Sequence, residues 1–134
     1  MNETVHVAVC GAHMSELPLN PQLLGLDATL VKKTTSSADY RLYYLADFDP
    51  PRPGMLRVPQ NGGPIALEVW EIALDKYGAL VAGIPAPLGI GRLELADGSW
   101  VQGFLCEHYA IAQAQDITHY GGWRQFLAAN AKAD

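Results

Sequence analysis

Short apolar runs, separated by turns rich in glycine and proline, dominate the pattern of this chain. The clearest alternation spans residues 65–73, where Ile65, Leu67 and Val69 occupy one face and Glu68 and Trp70 the other. A period of two is typical of a half-buried strand. By the same criteria we predict further strands at residues 5–10, 28–32, 40–46, 55–58, 92–96 and 99–106.

Helical spacing appears in fewer places. Residues 74–82 carry an apolar stripe, and residues 123–131 form an alanine-rich segment of high helix propensity. Shorter helical segments are predicted at 21–24 and 107–114. Because turns rather than helical crossovers join most strands, the order predicts an α+β fold. We expect a small, mixed, mainly antiparallel β-barrel with flanking helices, formed by residues 1–134 as a single domain.

Two segments are dense in proline. The sequence DPPRPG, residues 49–54, has three prolines, which remove three backbone donors, so we predict a surface loop there. The sequence IPAPLGIG, residues 84–91, is predicted to be a rigid loop for the same reason. The dipeptide Asp97-Gly98 then favours a tight hairpin turn between the last two strands.

Composition excludes several classes of function. The net charge is −5 and the nine lysines and arginines are scattered, so nucleic acid and anionic membranes are poor partners. No apolar stretch reaches 18 residues, which argues against a transmembrane helix. With only two cysteines and no signal-peptide pattern at the N-terminus, we predict free thiols and a cytoplasmic location.

Motifs for metals, nucleotides and nucleophiles are weak. The four histidines show no metal-ligand spacing, and GIGRLE at 89–94 lacks the third glycine of a dinucleotide-binding loop. We therefore predict no metal and no cofactor. Cys10, three residues before His13, is open to two interpretations: an activated nucleophile, or a buried thiol, which its apolar neighbours favour.

The loop Gly11-Ala12-His13-Met14 is the strongest candidate for chemistry. Gly11 permits a positive φ or a close backbone approach. Successive amides leaving a strand can hold an anion, and a histidine beside them can carry a proton near neutral pH. A solvated loop histidine is the alternative that composition alone leaves open.

Several strings resemble one known family. They are VAVCGAHMSELPLNPQL, YRLYYL, PGMLRV, IALEVWEI, IPAPLGIG, GFLCE and DITHYGGWRQFL, in that order along residues 5–127. Together they are similar to the C-terminal domain of allophanate hydrolase, within the γ-glutamylcyclotransferase-like (AIG2-like) superfamily. The resemblance implies a small mixed barrel with its substrate in a cavity over the first loop.

The resemblance also implies a reaction. The family domain is thought to remove CO₂ from N-carboxycarbamate, and its essential histidine corresponds to His13. Protonation of the carbamate nitrogen helps CO₂ to leave, so His13 is the expected proton donor. The ligand would be a small dicarboxylate or carbamate-like molecule. Expected substrate-binding residues are Gly11, Ala12 and Met14 through their backbone amides, with Arg57 and Tyr40.

Two departures from the resemblance keep alternatives open. The chain has no amidase signature, so we expect it to act on a diffusing intermediate or to assist a separately encoded amidase. A non-catalytic amidase partner that docks through residues 123–127 is one alternative, and homodimerisation is also open. γ-Glutamylcyclotransferase activity is a weaker alternative, because Ile84 stands where that superfamily has its catalytic glutamate, leaving Glu68 as the nearby substitute.

Overall fold

The structure is a computed structural model and describes residues 3–131. Within these residues, eight strands, three α-helices and two 3₁₀ turns follow one another. In order they are β1 Thr4–Val9, α1 Asn20–Leu24, β2 Thr29–Thr35, β3 Tyr40–Leu45, β4 Arg52–Arg57, β5 Ala66–Ala73, α2 Leu74–Ala82, β6 Leu88–Glu94, β7 Trp100–Cys106, 3₁₀ His108–Ile111, β8 Gln115–Asp116, 3₁₀ Thr118–Tyr120 and α3 Trp123–Ala131. The predicted α+β class is confirmed.

A five-stranded sheet, in the order β2-β5-β1-β7-β6, forms the centre of the molecule. Strand β1 lies in the middle, antiparallel to β5 and parallel to β7, with Val7 opposite both Trp70 and Gln102. The second half of β1 is buried because sheet neighbours flank it on both sides. The segment that follows β1 therefore begins inside the protein, although its polar sequence is that of a loop.

The remaining strands form a separate sheet in the order β4-β3-β8. The two sheets pack closely where β4 faces β7: a Cβ added to Gly54 would lie 2.9 Å from the Cys106 Sγ. An isolated bridge between Ser36 and Leu95 links the ends of the edge strands β2 and β6, but regular strand pairing does not close residues 3–131 into a barrel. The expected barrel is thus wrong, and the fold is two packed sheets with flanking helices.

Strand β4 corrects the interpretation of DPPRPG as a surface loop. Arg52 pairs with Leu45 and Pro53 with Tyr44, so the second half of this segment is strand. Proline is tolerated there because β4 is the edge of its sheet, where one side of the strand needs no donors.

Strand β6 likewise begins inside IPAPLGIG, at Leu88, and not after it. Gly91 faces Gly103 on β7, and a Cβ on Gly91 would approach the Leu105 side chain to 2.7 Å. The glycines therefore make room for leucine side chains of the neighbouring strand. The predicted rigid loop is shorter than expected, covering only the residues before Leu88.

The predictions for the two longer helices are confirmed. Leu80 of α2 and Trp123 and Phe126 of α3 are buried against the sheets. The predicted helix at 107–114 is wrong: only a 3₁₀ turn, His108–Ile111, forms before the short strand β8. Within residues 3–131, no helix combines the length and apolar character needed to cross a membrane.

Candidate functional site

The loop between β1 and α1 folds back on itself through its own hydrogen bonds. The Met14 amide donates to the Gly11 carbonyl at 3.0 Å, and the Leu19 amide donates to the Ala12 carbonyl at 2.8 Å. The buried Asn20 side chain donates to the His13 carbonyl at 2.9 Å. The backbone that carries His13 is therefore held in place by residues on both sides of it.

Gly11 allows this loop to touch β4. A Cβ built on Gly11 would lie 2.4 Å from the Pro53 Cδ, far inside contact distance. Its φ is not in the left-handed region. Of the two roles expected for this glycine, the structure shows the close approach and not the positive φ.

The His13 side chain is 5% exposed and is therefore not a solvated loop residue. Its ring lies 4.9 Å from the Phe104 ring, and its Nε2 lies 2.7 Å from the Gln22 Oε1. Burial lowers the pKa of His13, the hydrogen bond that the ring donates to Gln22 opposes that effect, and the positive charge of Arg52 lowers the pKa further. The ring is accordingly neutral near pH 7 in the free protein.

A cavity of about 20 Å³ adjoins this ring. That volume holds about one water molecule, or one oxygen-bearing end of a ligand. The residues around it come from the first loop and from strands of both sheets: Val9, Cys10, Gly11, Ala12, His13, Arg52, Pro53, Leu88 and Phe104.

Arg52 places a positive charge in the wall of this cavity. Its guanidinium lies over the Phe48 ring, 5.2 Å from the centroid, and its Nε is buried without a hydrogen-bond partner. Among residues 3–131 no carboxylate forms an ion pair with it. Burial lowers the pKa of Arg52, but an arginine at this degree of exposure stays charged. A buried N–H donor without an acceptor, beside a cavity, favours an anionic ligand.

The structure does not bring Tyr40 and Arg57 to this cavity. Tyr40 is fully buried in the core, where its hydroxyl accepts the Glu94 amide at 3.0 Å. Arg57 lies at the other end of β4 from Arg52, about 17 Å away at strand spacing. It pairs there with Asp39 at 3.3 Å and with Glu94 at 3.5 Å. Arg52 is the arginine that the sequence interpretation missed.

The expected backbone donors are partly present. The Met14 amide is already bonded to Gly11, and the Met14 side chain belongs to the core. Within the described part of the chain, the amides of Gly11, Ala12 and His13 have no protein acceptor. Three of the four amides in this loop therefore lack a protein acceptor within residues 3–131, and the residues that carry them line the cavity.

The Glu68 carboxylate anchors the first loop through hydrogen bonds to Ser15. Its Oε1 accepts from the Ser15 amide at 2.8 Å and from the Trp70 Nε1 at 3.0 Å. Its Oε2 accepts from the Ser15 hydroxyl at 2.8 Å and from the Arg124 Nη2 at 3.0 Å. Burial raises the pKa of Glu68, but these hydrogen bonds outweigh burial and the pKa lies below its usual value. Both oxygens are thus occupied, which disfavours Glu68 as a catalytic base.

Both cysteines are buried thiols. Burial raises the pKa of Cys10 to about 12, so its thiol stays protonated although it lines the cavity. Burial and then the charge of Glu107 raise the pKa of Cys106. The interpretation of Cys10 as a buried thiol is supported over that of a nucleophile. Residues 3–131 contain no cluster of three or more potential metal ligands.

The sequence and the fold are similar to those of known proteins. A urea amidolyase of Saccharomyces cerevisiae is 40% identical over 128 residues, which are 92% of this chain and 7% of that protein. A Kluyveromyces lactis allophanate hydrolase structure is 39% identical with a TM-score of 0.91, over 96% of this chain and 22% of that one. This chain thus spans less than a tenth of the curated relatives it matches.

One structure of similar length also matches. A protein specific to uropathogenic E. coli is 36% identical with a TM-score of 0.88, over 94% of this chain and 97% of its own. A γ-glutamyl cyclotransferase shares the fold alone, at 10% identity and a TM-score of 0.57, over 85% of this chain and 70% of that one. The model of the allophanate hydrolase C-terminal domain matches residues 5–128, and the chain belongs to that family.

Proposed function

We propose that this domain decarboxylates N-carboxycarbamate, or a similarly small N-carboxylated amide, with His13 as the proton donor. The observation that carries the proposal is that one small cavity is lined both by the buried His13 ring and by Arg52, which has no ion-pair partner within residues 3–131. Membership of the allophanate hydrolase C-terminal domain family supports the choice of substrate. The names of the relatives place them in urea metabolism, and we extend that context to this chain.

The reaction needs one proton. In N-carboxycarbamate two carboxylates share one nitrogen. When one C–N bond breaks, its electron pair stays on nitrogen and CO₂ leaves. The nitrogen takes a proton from the His13 imidazolium, and the second product is carbamate. General acid catalysis of this kind needs a donor within hydrogen-bond reach and a pKa near the working pH.

Binding of the dianion would favour protonation of His13 and so produce the proton donor. The free ring is neutral, and a negative charge beside it favours the imidazolium. One carboxylate would enter the cavity to meet Arg52 and the amides of Gly11, Ala12 and His13. A cavity of about 20 Å³ does not enclose the whole molecule, so the second carboxylate would stay at the cavity mouth.

A coupled assay tests this function. An allophanate amidase without this domain would supply N-carboxycarbamate, and CO₂ release would be followed with and without the protein. We expect the protein to speed CO₂ release without changing the rate of the preceding ammonia release. CO₂ release no faster than with an equal amount of an unrelated protein would contradict the proposal.

Arg52 gives a binding prediction that does not depend on turnover. Malonate replaces the substrate nitrogen by CH₂ and cannot lose CO₂ in the same way. We expect Arg52→Gln to weaken malonate binding by about tenfold or more, because a charge-assisted hydrogen bond is lost. Titration calorimetry measures this, and Arg57→Gln, at the far end of the same strand, is the matched control with unchanged affinity.

The non-catalytic alternative receives less support. Trp123 and Phe126, within the segment predicted to dock an amidase, are 3% and 5% exposed and pack against the protein's own core. Leu127 is the exposed apolar residue of that segment, at 37%. We retain an amidase as a proposed functional partner that supplies the substrate, and the cytoplasm as the proposed location.

A further inference from the structure

Gln22 is the only polar side chain in residues 3–131 that hydrogen-bonds the His13 ring. It lies on the short helix α1, and two interactions fix the position of this helix relative to the first loop. Leu23 is fully buried, and the Asn20 side chain donates to the His13 carbonyl. The Gln22 amide is thereby brought to 2.7 Å from the His13 Nε2.

The chemistry of an amide oxygen decides where the ring proton sits. Gln22 presents Oε1, which accepts hydrogen bonds and does not donate them. With Oε1 facing the ring, this hydrogen bond forms only when the His13 Nε2 carries a hydrogen. In a neutral imidazole the other nitrogen, Nδ1, then has the free lone pair. Within the described chain no protein group bonds to Nδ1.

The other groups around the ring do not compete for this proton. Phe104 of β7 is apolar, and Leu88 of β6 lines the same cavity. The Cys10 thiol is protonated, and Arg52 of β4 is a cation whose Nε has no acceptor in the described part of the chain. None of these offers an oxygen or a carboxylate to Nδ1–H, so the Gln22 bond alone biases the tautomer.

We propose that Gln22 is a positioning residue that confines the first proton of His13 to Nε2, so that Nδ1 takes up the second proton and delivers it to the bound ligand. The proposal rests on the proposed function for the delivery step. The tautomer itself is a property of the free protein and is measured without substrate.

Nitrogen-15 NMR of the histidine rings gives the direct test. We expect the wild-type spectrum to show neutral His13 protonated at Nε2, and the malonate complex to show the second proton at Nδ1. In Gln22→Met, which has no amide oxygen, both tautomers should be populated. A wild-type ring protonated at Nδ1, or a Gln22→Met spectrum with an unchanged tautomer, would overturn the proposal.

A charged variant separates positioning from packing. In Gln22→Glu the carboxylate still accepts from Nε2 and also stabilises the imidazolium. We expect the pH profile of kcat to move to higher pH and the protonated fraction of His13 at pH 7 to rise severalfold, with KM changed little. The control is Gln60→Glu, which adds the same charge on the exposed turn after β4, and should leave the profile in place.

The two proposals fail in different ways. If Gln22→Met lowers the melting temperature and the tautomer does not change, Gln22 is structural and the positioning role is wrong. If the tautomer follows the expectation but wild-type protein releases no CO₂, the decarboxylase assignment is wrong and the positioning role stands.

Discussion

Replacing His13 with glutamine should reduce the rate of CO₂ release by about 10²–10⁴-fold, the usual contribution of a general acid. Glutamine is similar in size to histidine and can still bond to Gln22, so the loop should keep its shape. It has no proton to give at neutral pH. The coupled assay with an allophanate amidase measures the rate, and a melting curve shows that the variant is folded.

His6→Gln is the matched control. His6 lies on β1, and its exposed ring pairs with Glu71 at 3.1 Å. The His6→Gln variant should release CO₂ at the wild-type rate. If His13→Gln retained a rate within a few-fold of wild type, proton donation by His13 would be wrong even though the site binds anions.

The same assignment fixes the sign of the pH dependence. His13 acts in its protonated form, so the rate should fall as the pH rises through the pKa of His13 in the complex. Burial and Arg52 both lower that pKa in the free protein. Malonate should bind more tightly at pH 6.5 than at pH 8, because binding the anion favours the protonated ring.

Glu68→Leu should destabilise the fold by about 3 kcal/mol, because a buried hydrogen-bonded charge is removed from donors that stay in place. The Ser15 amide, the Ser15 hydroxyl and the Trp70 Nε1 would each lose an acceptor. Urea unfolding measures the loss. Malonate affinity should also fall, since Ser15 is two residues from His13.

Glu71→Leu controls for this change within the same strand. The Glu71 side chain is 41% exposed and pairs with His6, so its removal should cost well under 1 kcal/mol. The loss of stability in Arg124→Met should lie between those of the two glutamate variants, because Arg124 is 39% exposed and water can replace Glu68 as its partner. A Glu68→Leu variant as stable as Glu71→Leu would show that the network does not support the loop.

Much of the fold follows from local pattern. Helix α2 and strand β5 have strong periodicity and helix α3 is rich in alanine, so the local sequence alone predicts these three elements. The sequence predicts loops at residues 52–54 and 88–91, because proline and glycine usually break strands. Their place at a sheet edge or beside large leucines depends on pairing with distant strands, which local sequence does not encode.

The local sequence likewise reveals some residues of the candidate site and not others. His13 was recognisable because it follows a buried strand within three residues of a glycine. The choice between Arg52 and Arg57 depends on which end of β4 meets the first loop, and the three prolines hid the strand. Gln22 has no motif at all, and apart from Trp70 the donors to Glu68 come from Ser15 and Arg124, each more than 50 residues away.

The contact between Gly11 and Pro53 links two segments that are distant in the chain. A side chain at position 11 would push β4, and Arg52 with it, away from the first loop. A smaller residue at position 53 would have to accompany any such change. The two positions should therefore covary among homologues, and a redesign that aims at bulkier ligands has to alter both together.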